Sequence, residues 1–453
     1  MPVKTLVQEL PFYKKTSDLF QLYAQNPQAI FLDSSLQNEL GRYSIICLNP
    51  YLTVKEEDGI CYCNGLPCQE SFETVMERYL REHREKNPTS LPLIAGAVGY
   101  LTYDYGRKFE QISSRHPKKI QMPEAQFTFF DNYLIEDTLE KKLWITAHGE
   151  QKKAETSISQ IVSQIQNCPE MPSCGRHSHV APYHPNFQKE EYKRAVDRMI
   201  SYITEGDIYI ANMTQQLQVQ SSLSPYEAFR YLRSYNPSPF GAYLNYGDFQ
   251  IVCSSPERFL QVRDGLVETR PIKGTRKRGS TPEEDQALRR ELENSSKDHS
   301  ELLMIVDLER NDLNHVCEPG SVKVTEHFAV EAYATVFHLV STIVGKLRPN
   351  LGLMDLIRAA FPGGSITGAP KIRAMEIIDE LENDRRNLYT GSIGYLSLDG
   401  SCDLNIVIRT ALHKNGTYYL GVGGGITCES DLEFEYEETL QKAKAVLEAL
   451  LDR

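Results

Sequence analysis

Before residue 168 the chain carries short apolar and β-branched runs. Residues 29–32, 43–48 and 127–135 read as strands, and one clear helical period falls at 71–86. That mixture predicts an antiparallel α+β region. After residue 186 the pattern lengthens: 189–205 has helical spacing, 251–262 reads as a strand-pair region, and 282–308, 370–381 and 432–451 are helical. Between them, residues 168–186 break the periodicity with Pro169, Pro172, Pro182, Pro185 and Gly175, which marks a linker between a unit at 1–167 and a unit at 187–453. His177, His179 and His184 lie in this linker without metal-ligand spacing and read as residues that a polar, solvent-facing linker commonly holds. No solenoid-type repeat occurs.

The chain's 453 residues allow two or three domains, or one large fold assembled from interleaved halves. A composition of 41% hydrophobic and 24% charged residues excludes global disorder. A net charge of -12, with no aromatic-basic interleaving, argues against nucleic acid as a partner. Residues 1–15 lack the apolar centre of a signal peptide, and the longest apolar stretch, 91–101, falls short of the roughly 20 residues that span a bilayer. A soluble cytoplasmic protein is expected, with no membrane partner. Its ten scattered cysteines are then reduced thiols. The nearest group, Cys61, Cys63 and Cys68, lacks the second ligand pair of a structural zinc site.

Four features could carry chemistry. In Arg270-Pro-Ile-Lys-Gly-Thr-Arg-Lys-Arg278, Lys273 sits among four other cations. Neighbouring positive charge and burial both lower an amine's pKa toward nucleophilicity, although a charge run alone also fits a solvated loop. In Phe361-Pro-Gly-Gly-Ser-Ile-Thr-Gly-Ala-Pro-Lys371, a glycine-rich turn enters a helix, and its free N–H groups with Lys371 suit a carboxylate as well as an ordinary helix entry. Ala369 stands where a nucleoside-triphosphate loop requires Lys. Two helices bear acid pairs at i and i+3, Asp298 with Glu301 and Glu435 with Glu438. These are solvated faces unless they converge across a cleft, where four hard oxygens would suit Mg2+. Arg409, expected to end a strand at 405–408, and the glycines 423–425 after a strand at 418–422 suit carboxylate recognition, although a tri-glycine also fits a simple turn. His338 in an apolar run reads by itself as a satisfied core residue.

In their order these residues closely resemble the chorismate-utilising enzymes, the family of the anthranilate, aminodeoxychorismate, isochorismate and salicylate synthases. The resemblance rests on Ile305-Val-Asp-Leu-Glu-Arg-Asn-Asp312, Pro319-Gly-Ser-Val322, His338-Leu-Val-Ser-Thr342, the 361–371 loop, Gly391-Ser-Ile-Gly-Tyr395, Ile408-Arg-Thr410, Gly423-Gly-Gly-Ile426 and Glu435-Tyr-Glu-Glu438. More weakly, Leu32-Asp-Ser-Ser35 and Gly41-Arg-Tyr-Ser44 resemble the family's amino-terminal domain and its tryptophan pocket. The implied fold is a large α/β (α+β) structure of two packed β-sheets ringed by helices, with interleaved amino- and carboxy-terminal halves. Within Pro271-Ile-Lys-Gly-Thr275, anthranilate synthases carry Ala where Lys273 stands, so the resemblance implies amination of chorismate at C4. The product would be 4-amino-4-deoxychorismate, on the route to p-aminobenzoate and folate, with anthranilate synthesis as the alternative.

The resemblance further implies roles. Glu301 and Glu438, with Asp298 and Glu435, would hold Mg2+ on the ring carboxylate, although Asp298 stands where the family has Glu and its arm is shorter. Arg409, Lys371 and the amides of Gly424 and Gly425 would hold the enolpyruvyl carboxylate, with Ser365 and Tyr395 lining the pocket. Lys273 would attack the ring as the C4 hydroxyl departs, Glu257 would protonate that hydroxyl, and His338 would stand near the ring. Ile210 replaces a Gln common in the family, in agreement with C4 amination. No Gly-x-Cys-x-Gly nucleophile elbow is present, so ammonia is expected from a separate glutamine amidotransferase subunit.

Overall fold

Strand Ala125–Asp137 is buried along its whole length and hydrogen-bonds on both edges. One edge pairs with Tyr43–Glu57; the other pairs first with Gly96–Leu101 and then with Lys142–Ala147. Successive side chains of a strand face opposite layers, so such burial requires a cover on each side. The structure, a computed structural model, describes residues 5–172, 174, 179–333 and 336–451.

Two arms leave this central strand. From Tyr43–Glu57 the ladder continues through Ala29–Asp33, Phe240–Asn245, Phe249–Ser255, Thr410–Lys414, Thr417–Ile426 and Ile210–Gln220. From Gly96–Leu101 it runs through Ser392–Ser397, Cys402–Asn405, Arg258–Arg263 and Leu266–Thr269 to Val336–Lys346, which also pairs with Ile272–Lys277 and Lys323–Ala332. Every one of these pairings is antiparallel. The arms share a core that includes Ile30, Val98, Tyr133, Leu244, Ile251, Ile393 and Val407. Helices Phe72–Glu82, Ser296–Asn314 and Leu353–Ala360 pack against the second arm, while Ala154–Ile165, Pro225–Tyr235 and Leu432–Ala449 pack against the first. Lys189–Thr204 and Lys371–Leu381 pack where Ile210–Gln220 meets Thr417–Ile426. The mixed α/β architecture expected from the sequence is therefore present.

The halves interleave, because Ala29–Asp33 is hydrogen-bonded to Phe240–Asn245 and Gly96–Leu101 to Ser392–Ser397. Within the 168–186 segment, His184 and Pro185 join the ladder opposite Gln218 and Leu217, while His177 lies outside the described residues. Among the described residues no helix is long and apolar enough to cross a membrane.

Three local expectations change. The 282–308 stretch is two helices, Pro282–Glu293 and Ser296–Asn314, because the Ser295 hydroxyl accepts the Asp298 N–H at 3.3 Å and starts a new helix. Residues 406–408 are not strand: pairing stops at Asn405, and Arg409 takes the left-handed conformation with φ 54° before the next strand. The glycines 423–425 do not turn either. They lie inside Thr417–Ile426, opposite Thr214, Met213 and Asn212.

Candidate active site

The reason for glycine in that strand is close approach. A Cβ on Gly424 would lie 2.6 Å from Oε2 of Glu438 and 3.3 Å from Oε2 of Glu435; one on Gly425 would lie 3.2 Å from Nζ of Lys273 and 3.8 Å from Oε2 of Glu301. A side chain at either position would displace the charged groups above it. The glycine strand is thus the floor over which helix Ser296–Asn314, helix Leu432–Ala449 and strand Ile272–Lys277 bring their functional residues together. This is the convergence that the spacing of the acid pairs left open.

Lys273 donates from Nζ to the carbonyl of Ser365 at 2.9 Å. Its pKa is lowered, chiefly because burial disfavours the ammonium; Glu301 and Glu257 oppose the shift, and Lys442 adds to it. The direction matches the sequence expectation, and of the two causes expected there, burial is the one that acts most. Arg270 is paired with Glu331 at 2.5 Å, Arg276 with Glu291 at 2.7 Å and Arg278 with Asp285 at 2.7 Å, so these neighbouring cations are neutralised. Gly274, at φ 77°, lets the strand lie against Asp298, whose Cγ would stand 2.8 Å from an added Cβ.

The acid pairs are not a solvated face. Glu435 is 2% exposed and Glu301 9%. Burial raises the pKa of Glu301 and pushes that of Glu435 up to about 7, with Glu438 adding its repulsion to both. Two lysines answer this charge: Lys297 Nζ lies 3.9 Å from carboxylate oxygens of both Glu301 and Glu435, and Lys442 Nζ lies 2.6 Å from Glu438 Oε2. Asp298 is drawn away by Arg276 at 3.0 Å. Among the described residues no three of these carboxylates bring oxygens within 4.8 Å of one another. Glu301, Glu435 and Glu438 nonetheless form a set of hard oxygen donors across one gap, with a chemistry that fits Mg2+.

His338 stands opposite Thr275 in the ladder and shares a 2.9 Å hydrogen bond between its Nδ1 and the threonine hydroxyl. Burial, helped by the nearby Arg409 guanidinium, depresses its pKa to about 4, so the imidazole is neutral at pH 7. Arg409 donates to the Lys442 carbonyl, and burial lowers its pKa while Tyr389 and Glu438 oppose that change. Glu257 is buried, its Oε1 makes no hydrogen bond among the described residues, and its pKa is raised by desolvation against a Ser365 hydrogen bond and the Lys273 charge. An acid whose pKa is raised beside an amine whose pKa is lowered is suited to proton transfer and nucleophilic attack.

Two expected substrate ligands lie elsewhere. Lys371 is buried and donates to Asp312 at 2.6 Å and to the Ala360 carbonyl at 2.9 Å; it fastens the glycine-rich loop to helix Ser296–Asn314. Tyr395 lines a separate cavity of about 490 Å³ together with Asp33, Ser34, Arg42, Tyr43 and Arg258. That cavity gathers the 32–35 and 41–44 motifs. Sequence reasoning missed Lys442, Lys297 and Thr275. Lys442 was detectable as the i+4 partner of Glu438, whereas nothing local distinguishes Lys297 from an ordinary surface lysine.

The chain matches known proteins in ways consistent with this geometry. It is 37% identical to aminodeoxychorismate synthase component 1 of Bacillus subtilis (strain 168), over 98% of this chain and 96% of that protein. It is 35% identical to anthranilate synthase component 1 of Aquifex aeolicus (strain VF5), over 93% of this chain and 89% of that one. The crystal structure of anthranilate synthase component I from Streptococcus pneumoniae TIGR4 superposes with a TM-score of 0.81 at 32% identity, covering 91% of this chain and 93% of that chain. The profile of the chorismate binding enzyme family spans residues 28–448, nearly the whole ladder and every residue of the candidate site, and the chain belongs to that family.

Proposed function

We propose that this chorismate-utilising enzyme aminates chorismate at C4 to give 4-amino-4-deoxychorismate, as the names of relatives such as the Bacillus subtilis protein suggest. The observation that carries the reading is Lys273, a partly buried amine with a lowered pKa between Glu257 and Glu301. In this reading the free amine of Lys273 attacks ring C2, both double bonds of the ring diene shift by one bond, and the C4 hydroxyl leaves as water with a proton from Glu257. Ammonia then adds at C4, both double bonds return, and the C2–N bond breaks to release the Lys273 amine. Two modest displacements replace one difficult one. Neutral His338, held by Thr275, would orient a polar group of the ring, and Arg409 would pair with a substrate carboxylate. Glu301, Glu435 and Glu438 would hold Mg2+, which when bound supplies positive charge to a substrate carboxylate. Ammonia would come from a glutamine amidotransferase subunit, in keeping with the "component 1" of the relatives' names.

The similarity to anthranilate synthases supports a second reading, in which ammonia enters at C2 and pyruvate is released. Incubating the chain with chorismate, Mg2+ and ammonium salt separates the two. Aminodeoxychorismate without pyruvate, plus a chorismate-derived adduct on Lys273 by mass spectrometry when ammonia is withheld, is the expected result. Anthranilate with stoichiometric pyruvate would overturn the C4 reading, and full aminating activity in Lys273→Ala would overturn the assignment of Lys273 as nucleophile.

A further inference from the structure

Away from the active site, three thiols meet on one face of the amino-terminal ladder. Cys61 and Cys63 are two residues apart on strand Ile60–Cys63 and so point the same way. Asn64 and Gly65, at φ 48° and 82°, make a tight turn into Leu66–Pro67. Both turn positions need left-handed backbone, which Asn-Gly adopts at little cost. The chain then returns beside its own strand, and the Cys68 N–H donates to the Cys61 carbonyl at 2.8 Å. The three Sγ atoms lie within 4.8 Å of one another, and those of Cys63 and Cys68 are 2.9 Å apart. Among the described residues this is the only trio of His, Cys, Asp or Glu ligand atoms gathered so closely. Cys61 is buried and the other two are half-buried, so the cluster has a rigid base and an open side.

We infer that Cys61, Cys63 and Cys68 form a three-thiolate site for one thiophilic ion, Zn2+ or Cu+. Thiolates prefer such ions to Mg2+ or Ca2+. The sequence argument against zinc required a second Cys pair, but a site with three protein ligands is complete for Cu+ and leaves Zn2+ one position for water. A Zn–S bond of about 2.3 Å sets tetrahedral sulfurs about 3.8 Å apart, so Cys63 and Cys68 would separate by roughly 1 Å. On uptake three sulfur–metal bonds form and the three thiol protons pass to solvent. The ion would tie the 64–65 turn and its short return strand to the strand that carries Cys61.

The test uses the full chain, reduced, stripped of metal and titrated without oxygen. Zn2+ and Cu+ are the two arms, and Co2+ serves as the coloured stand-in for Zn2+. One Co2+ per chain with a sulfur-to-cobalt charge-transfer band is expected, displaced by Zn2+, together with a rise in Tm on Zn2+ or Cu+ binding. Cys61→Ser and Cys68→Ser should lose the band and the Tm rise, while Cys428→Ser, at an exposed cysteine elsewhere, should keep both. Since none of these cysteines lies in the active site, unchanged chorismate turnover certifies each variant as folded; Cys63→Ser, half-exposed, replaces any that is not. The charge-transfer band also distinguishes this site from Co2+ on carboxylates. No band in the reduced wild type, or an undiminished band in the cluster variants, would overturn the inference. So would a Cys63–Cys68 disulfide in the purified chain whose reduction restores no metal uptake.

Discussion

Lys273 Nζ lies 2.9 Å from the carbonyl oxygen of Ser365, a contact that joins two motifs 92 residues apart in the chain. The acceptor belongs to the turn after Gly363-Gly364, where Glu257 also reaches the Ser365 side chain. One short turn therefore holds both the amine and the acid, and its shape fixes their separation. Helix Ser296–Asn314 braces the turn from behind, through Leu308 and Glu309 against Gly364 and through Asp312 on Lys371. The loop's lysine thus anchors, from outside the pocket, the turn that holds Lys273 and Glu257.

Glu257 should act as a protonated acid. Because burial raises its pKa, the active form is lost as pH rises through that value, and the rate should show a falling alkaline limb. Glu257→Gln should lower kcat by about 10²–10⁴ and remove that limb. A pH–rate profile of both proteins checks this; an unchanged limb in the variant would assign it to another group.

Mg2+ binding should weaken in acid. With Glu435 titrating near 7, the ion must displace a proton below that pH, and the affinity should fall by up to about tenfold per pH unit. Titrating Mg2+ against activity or heat at about pH 6 and pH 8 measures the slope. Glu435→Gln should bind more weakly and show a flatter dependence.

Gly425→Ala should damage catalysis more than folding. The added methyl would stand 3.2 Å from Lys273 Nζ, which must shift, whereas the strand pairing to Asn212 is retained. Gly424→Ala, with its Cβ 2.6 Å from Glu438 Oε2, should instead raise the Mg2+ requirement. Steady-state kinetics beside thermal melts separates these effects; equal losses in Tm and kcat for both variants would contradict them.

Glu309 should make the fold sensitive to base. Burial pushes its pKa up from 4.5 to about 8, against the Thr269 hydroxyl that donates to it at 2.9 Å. Between those two values the folded chain holds a proton that the unfolded chain has released, so stability falls as pH rises. The loss is about 1.4 kcal/mol for each unit of separation. Glu309→Gln should flatten this slope and raise Tm most above pH 8, as melts across the pH range would show.

Much of this protein was determined by local sequence. Apolar and β-branched runs at 29–32, 43–48 and 127–135 and the helical periods at 71–86 and 189–205 announce themselves, because strands covered on both faces read as short apolar runs and helices with one buried face read at the helical period. The ordered motifs identified the family, and with it the expectation that Lys273, Glu301, Glu438, Arg409 and His338 serve its site. Tertiary structure decided what those motifs face. The tri-glycine became a strand because it pairs with residues 212–214, glycine being kept there by the charged groups against it, and Ser295 divided one apparent helix into two. Lys371 and Tyr395 share the motifs of the site but point elsewhere, and Lys273 owes its lowered pKa chiefly to burial, with Lys442, distant in sequence, adding to it. The physical reason is one of range. Periodicity and capping act over a few residues, whereas desolvation, ion pairing and close approach depend on groups brought together from distant parts of the chain.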